Sequence, residues 1–431
     1  MRPPSRRAVR SAALAFGSFV VLTAAQVLYQ GGDPSYRTIW AEDGKVHYQA
    51  VVQHGLGAFA IPYAGYLEVI SRLLVFPATW LPVDRLAVYF SLAGAATGSL
   101  VALAVYRLTD QAIASRVLRV ALALAVALHP VLLAENLANI TNVIWVLCFA
   151  VFWALTRRPK TNGDVALGAA VAFLGTASLI LSVFFVPVAA YVAWTRRDWR
   201  TRVVVAAYGA GGLIQAAAYL TASTHGAHTP GRGGLVTLYI ARVLGLTAVG
   251  APETAKLWNS GGRGLLVPVA LTVAVVVAGL LACNRGKWLA FAVVTLGYSV
   301  AFFMLPLIIR GDEMAQLGLV WNDAGARYAV IPVLLIVTSV AVLIEHARIG
   351  RIPRAVLATG VLVQIVVVIA LGFQSDNFRS NGPEWYPALL AQAQGCRLDP
   401  RGSRFVVTTP GAPWGIRLAC SQLRAIGPTR G

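Results

Sequence analysis

Apolar runs close to the length of a bilayer crossing recur along nearly the whole chain, and this repetition limits what 431 residues can become. A helix rising 1.5 Å per residue needs about 20 apolar residues to cross about 30 Å of hydrocarbon. Runs of that order occupy Ser11 to Tyr29, Leu86 to Tyr106, Val117 to Ala134, Val143 to Thr156, Val203 to Ala222, Leu265 to Cys283, Trp288 to Ile308, Tyr328 to Ile344 and Ala355 to Phe373. Hydrocarbon offers the backbone no water, so such segments must satisfy their own hydrogen bonds as helices. A soluble chain of this length would form two or three domains, but 58% hydrophobic residues against 12% charged exclude that class.

Asp164 to Trp194 is too long for one crossing and short for two. With Ser178, Ser182 and Pro187 near its middle, it is expected to form a helical hairpin, re-entrant or spanning, with both ends on one side. The basic start "MRPPSRRAVR" leads into an apolar run longer than an ordinary signal-peptide core, so an uncleaved anchor is expected; cleavage after "LTAAQ" is the alternative. With the N-terminus cytoplasmic, the inner segments are 1–10, 107–119, "RRPK", "RRDWRTR", "NRGK" and "HARIGRIPR". They hold 19 of the 36 Lys and Arg, which satisfies the positive-inside rule. That placement accounts for the net charge of +19 and leaves no role for nucleic acid. The C-terminus is then extracytoplasmic.

This topology requires that residues 66–80 do not cross. They are expected to lie as a helix in the plane of the outer interface, with Glu68 and Arg72 paired at i, i+4 and the chain turning in at Pro62 and Gly65. The transmembrane domain then covers 1–373, with a first outer loop at 30–85, and residues 374–431 form an outer cap. In that cap "RFVVTTP" reads as a strand. Of the 4 cysteines, Cys148 and Cys283 fall in apolar spans, whereas Cys396 and Cys420 share the cap. Their spacing fits no zinc motif, and in an oxidising compartment one disulfide is expected.

Three polar clusters fall on the outer side. The first is "AEDG", with Glu42 and Asp43; a partly desolvated carboxylate there can act as a general base toward a hydroxyl, or simply be a solvated acid near a helix start. The second is "HPVLLAENLANITNVIW", with Glu135, Asn136, Asn139 and Asn142. Its amides suit sugar hydroxyls or helix capping, the latter preferred for Asn142; His129 is expected at a packed helix end. The third is "RGDEMAQLGLVWNDAGARY", which carries Asp312, Glu313 and Asp323 between Arg310 and Arg327. No metal-ligand spacing occurs, so no cofactor is expected to be required, with a divalent metal left open. His225 and His228 belong to a Gly-rich outer loop. No P-loop, nucleophile elbow, Rossmann fingerprint or zincin motif is present.

One anchor helix, a large first outer loop with an acidic pair and an in-plane helix, and then a polytopic domain together resemble the GT-C superfamily of membrane glycosyltransferases. "AEDG", "PYAGYL" and "SRL" also resemble a group of actinobacterial polytopic membrane proteins, from which Lys45, His47 and Glu68 depart. The resemblance is strongest over the first loop. It implies an all-α polytopic fold of about 11 transmembrane helices counting the hairpin, in a bacterial plasma membrane, with a small α/β cap. It also implies an inverting glycosyltransferase that moves a sugar from a polyprenyl-phosphate donor to an envelope glycan or lipid acceptor; the excess of Arg over Lys and the Ala-rich spans suggest a high-GC bacterium, for which arabinose or mannose is the expected sugar. Asp43 is then the expected base and Glu42 the residue that orients it. Arg327, in "GARYAV", resembles the Arg-Tyr step at the outer end of a GT-C span and would bind the phosphate, with Arg310 as second cation. Glu135, Asn139, Tyr63 and Tyr66 are the expected substrate contacts, the tyrosines at headgroup depth. The alternatives are a transporter or flippase of lipid-linked saccharides and a non-catalytic scaffold.

Overall fold

A computed structural model describes residues 6–128, 131, 137–222, 234–283, 286–310, 327–375, 379–397, 399–409, 414–424 and 426. In chain order the helices are α1 (Arg6–Leu28), α2 (Gln49–His54), α3 (Val69–Val75), α4 (Leu86–Leu108), α5 (Arg116–Leu128), α6 (Val143–Thr156), α7 (Asn162–Ser178), α8 (Val186–Thr195), α9 (Trp199–Thr221), α10 (Leu235–Asn259), α11 (Arg263–Ala282), α12 (Lys287–Arg310), α13 (Arg327–His346), α14 (Arg351–Gly372), α15 (Trp385–Gly395) and α16 (Cys420–Arg424). Strands β1 (Ser403–Val407) and β2 (Gly415–Ala419) pair antiparallel, Val406 opposite Ile416. The chain is a mostly helical membrane protein: among the described residues 8 helices are long and apolar enough to cross a bilayer.

Seven of the eight coincide with spans expected from the sequence. The eighth, Leu235–Asn259, corrects the reading of 223–264 as an outer loop. It is two helical pieces joined at Gly250 (φ 78, ψ 174) just before Pro252, and they fold back on each other, so that a Cβ at Gly245 would stand 2.9 Å from Thr254 Cγ2. The Tyr239 hydroxyl meets Ser299 Oγ at 2.9 Å, and Gln364 Nε2 donates to the Thr247 carbonyl at 2.8 Å.

Two helices form the centre. α13 is apolar on all sides and 94% of its apolar window is buried, while every residue of α6 except Thr156 is buried. At 14 residues α6 reaches only about 21 Å, because the chain before it, Leu137–Asn142, is a polar turn. The outer helices are different: α1, α11 and α14 are 17%, 11% and 22% buried in their apolar windows. Helices so apolar and so little covered by protein face lipid.

The expected hairpin is present. Thr161 and Asp164 form a reciprocal capping box at the start of α7, and the helix breaks at Leu179 (φ −142, ψ 118). Asp164 accepts from Arg107 at 3.1 Å, and Arg196, just past α8, donates to the Thr156 carbonyl at 2.8 Å. Both hairpin ends therefore return to the same end of the bundle, here called the Arg157 end. The other is the Asp43 end.

The C-terminal segment forms the cap. A Cys396–Cys420 disulfide, with Cα atoms 5.4 Å apart, ties the end of α15 to the start of α16, and Cys148 and Cys283 are buried outside any disulfide. Leu389, Val406, Ile416, Leu418 and Leu423 form one core with Ile39, Tyr48 and Val51 of the first loop. Trp385 Nε1 donates to the Val83 carbonyl at 2.7 Å. The cap is thus fastened onto the acidic loop.

Candidate functional site

The first loop is held by side chains from four other parts of the chain. After Trp40 the backbone winds into a π-helical turn, Asp43–Tyr48, a wide turn that recurs at functional sites. Gly44 must be glycine there: a Cβ would stand 2.7 Å from Ile416 Cγ1 of β2. Gln215 of α9 accepts from Leu67 N at 3.0 Å and donates to the Leu67 carbonyl at 2.8 Å, as a neighbouring strand would. Ser178 Oγ, at the tip of α7, accepts from Ile70 N at 2.9 Å.

Asp43 is fully buried. One carboxylate oxygen accepts from Thr141 N at 2.8 Å and Thr141 Oγ1 at 2.6 Å, the other from Ile140 N at 3.1 Å. The acid therefore fastens the π-helical turn to the turn that precedes α6. Burial raises its pKa above the usual carboxylate range, and the hydrogen bonds and the neighbouring His47 offset this only in part. Asn139, itself buried, accepts from Asn142 N at 2.9 Å. The capping oxygen thus comes from Asn139, whereas Asn142, preferred as the cap from the sequence, stands at the N-cap with no side-chain cap bond.

Arg379, from the start of the cap, is the largest departure from the sequence reading. It is buried and donates to the carbonyls of Ser35 (2.8 Å), Thr38 (2.9 Å) and Ala138 (3.0 Å) and to Thr38 Oγ1 (2.8 Å). Burial lowers its pKa to about 10, with Asp43 pulling the other way. One guanidinium therefore joins the first loop, the turn before α6 and the cap. No local signal marks it, because its partners are carbonyls far away in sequence.

The expected Glu68–Arg72 ion pair is also corrected. Glu68 Oε2 lies 2.9 Å from His47 Nε2, and Arg72 Nη1 donates to the Ala58 carbonyl. All three side chains are buried, so this is not an amphipathic helix with a solvated polar face. Instead of one helix over 66–80 there is α3, then a 3-10 turn, Phe76–Trp80. Together they span about 18 Å at 1.5 Å per residue, too short to cross a bilayer. The turn into it forms as expected: Tyr63 and Tyr66 pair through two backbone hydrogen bonds (2.8 and 3.1 Å) around Ala64 (φ 50) and Gly65 (φ 86). Tyr63 meets the His47 ring edge-on, and Tyr66 packs on the main core.

Glu42 is the acid with a different outlook. Its Oε1 is 3.4 Å from Arg327 Nη1 across 285 residues of sequence, and the two side chains are 7% and 26% exposed. Arg327 lies 5.5 Å from the Tyr328 ring centroid, and Tyr328 meets Trp145 edge-on at 5.1 Å. The indole N–H groups of Trp145 and Trp40 are buried with no acceptor. Such donors are costly to leave unmet, and an oxygen-rich ligand would satisfy them.

The structure thus brings Glu42, Asp43, Asn139, Tyr63 and Arg327 to one end. Arg310 closes α12, but its side chain lies outside the described residues, as do Glu135, Asn136, His129, His225, His228, Asp312, Glu313 and Asp323. Arg242, half-buried in a π-helical turn of α10, is a further cation that the sequence reading passed over. Among the described residues no three His, Cys, Asp or Glu gather as metal ligands would. No family model, curated protein or solved structure matches this chain.

Proposed function

We propose that this protein is an inverting glycosyltransferase that takes a sugar from a polyprenyl-phosphate donor at the extracytoplasmic face, with Glu42 as the base and Asp43 as the residue that positions it. The observation that carries this reading is the meeting of Glu42 and Arg327. A carboxylate able to take a proton and a guanidinium able to hold phosphate oxygens stand within 3.4 Å of each other, beside two indole donors without acceptors. In the reaction Glu42 accepts the proton of an acceptor hydroxyl. The hydroxyl oxygen bonds to the anomeric carbon, and the bond to the polyprenyl phosphate breaks with its electron pair on phosphate oxygen, opposite Arg327. The roles of 42 and 43 are exchanged relative to the sequence expectation because both Asp43 oxygens already accept hydrogen bonds from the turn before α6. Substrate binding would free Glu42 by moving Arg327 onto the donor phosphate.

A transporter of lipid-linked saccharides fits less well. Coupling groups in transporters are ionisable residues within the spans. In the eight described spans the acids are Asp84, Glu253 and Glu345, each at a helix end or beyond the bend in α10. The deciding experiment supplies purified protein with polyprenyl-phosphate arabinose or mannose and a glycan acceptor. Transfer by wild type and its loss in Glu42→Gln support the reading; flipping of the lipid without transfer overturns it.

A further inference from the structure

The Arg157 end carries a second cationic site, independent of the first. Arg158 follows α6, Arg196 follows α8 and Arg200 begins α9; Arg158 and Arg196 lie by the carboxylate of Asp198, and Arg200 is two residues further along the chain. Arg158 Nε lies 3.4 Å from Asp198 Oδ2, but Asp198 also accepts from Thr201 N and Oγ1 as the cap of α9. Arg196 spends one donor on the Thr156 carbonyl and Arg200 one on the Lys160 carbonyl. Arg196 Nη1 and Arg200 Nε are buried atoms with no acceptor. Burial, and then Arg158, lower the pKa of Arg196, as expected for like charges held together. Two guanidinium groups that share one carboxylate, a third beside them and, among the described residues, two unmet N–H donors leave room for an anion with several oxygens.

The surroundings select among anions. Trp194 and Trp199 flank the cluster and are 76% and 58% exposed, and Arg200 lies 5.5 Å from the Trp199 ring. Exposed indoles beside arginines at the end of apolar helices mark the headgroup level of a bilayer. Below them Val203 and Leu213 of α9 are exposed apolar surface, where acyl chains would lie. The geometry points to a binding site for an anionic phospholipid, its headgroup phosphate held by Arg158, Arg196 and Arg200 and its chains running along α8 and α9.

The test uses the full chain, delipidated in detergent, with native mass spectrometry to follow bound phosphatidylglycerol against phosphatidylcholine. Phosphatidylglycerol is expected to be retained preferentially. Arg158→Gln, at a side chain 64% exposed, is expected to weaken it about fivefold, and adding Arg200→Gln to weaken it about fivefold again. Unfolding temperature without lipid checks that the variants fold; if the double variant does not, Arg158→Gln alone decides. Equal retention of the two lipids, or unchanged retention in Arg158→Gln, overturns the proposal. Release of phosphatidylglycerol by millimolar inorganic phosphate also overturns it, since the site would then be one for free phosphate.

Discussion

The two ends of the bundle treat buried charge in opposite ways. At the Arg157 end Arg157 is buried and donates to Asp110 through two nitrogens, at 3.0 and 3.2 Å, while its third nitrogen is 3.1 Å from Asp164. Arg107 bridges the same two acids. Every charge in that group has a counter-charge, and the group joins the loop after α4 to the starts of α7 and the loop after α6. At the Asp43 end two of the buried charges are held by backbone instead: Asp43 by N–H groups, Arg379 by carbonyls. Two pairs do face each other there: Glu68 meets His47 at 2.9 Å with both side chains buried, whereas in Glu42–Arg327 the guanidinium is left partly accessible. Paired charges lock one end; backbone-held charges shape the other around a pair that, in the proposed reaction, substrate would separate.

The sharpest way to break this contrast is at Glu42. Glu42→Gln keeps size and is expected to lower sugar transfer by about 10² to 10⁴, the usual contribution of a positioned base, with little change in unfolding temperature. Wild-type turnover in that variant would return the catalytic role to Asp43. Next is Arg157→Met, which leaves the buried Asp164 and the half-buried Asp110 with only the exposed Arg107 as counter-charge. It is expected to cost about 3–5 kcal/mol in detergent unfolding while transfer by the folded fraction persists. A loss of turnover per folded molecule would show that the two ends are coupled.

Asp43→Asn is expected to cost less, about 1–3 kcal/mol, because the amide cannot accept at both oxygens. Its pH dependence has a definite sign. Burial holds the folded pKa of Asp43 above its unfolded value, so the folded state binds the proton more tightly. The advantage of wild type over Asn should therefore be fullest below the unfolded pKa and fall as pH rises through the folded one; the opposite slope in paired unfolding titrations would exclude net stabilisation of the protonated acid. Smallest is Gly65→Val, which places a β-branched side chain at φ 86. It is expected to cost about 1–2 kcal/mol and to lower turnover by shifting the loop that carries Glu42. Unchanged turnover would detach the Tyr63–Tyr66 turn from the site.

Much of the architecture was legible because bilayer crossing is a local requirement. Span length, the break near the middle of the hairpin, the strand at Ser403–Val407 and the pairing of Cys396 with Cys420 each follow from residues a few positions apart or from compartment chemistry. α10 is as apolar as α9 and was passed over all the same; its bend at Gly250 and its packing against distant helices are decided by tertiary structure.

The sequence by itself determined that this chain lives in a membrane, that Gly65 turns the first loop, and that Glu42 and Asp43 belong to that loop. Only the tertiary structure decided which partners the two acids meet. Neighbours in sequence, they were separated by distant partners: the turn before α6 took both oxygens of Asp43, and α13 brought Arg327 to Glu42. The same holds for Glu68, which local spacing paired with Arg72 and packing paired with His47. A buried charge takes the partner that satisfies it at least desolvation cost. In a bundle whose lipid-facing surface offers none, that partner is set by which helices meet at that depth.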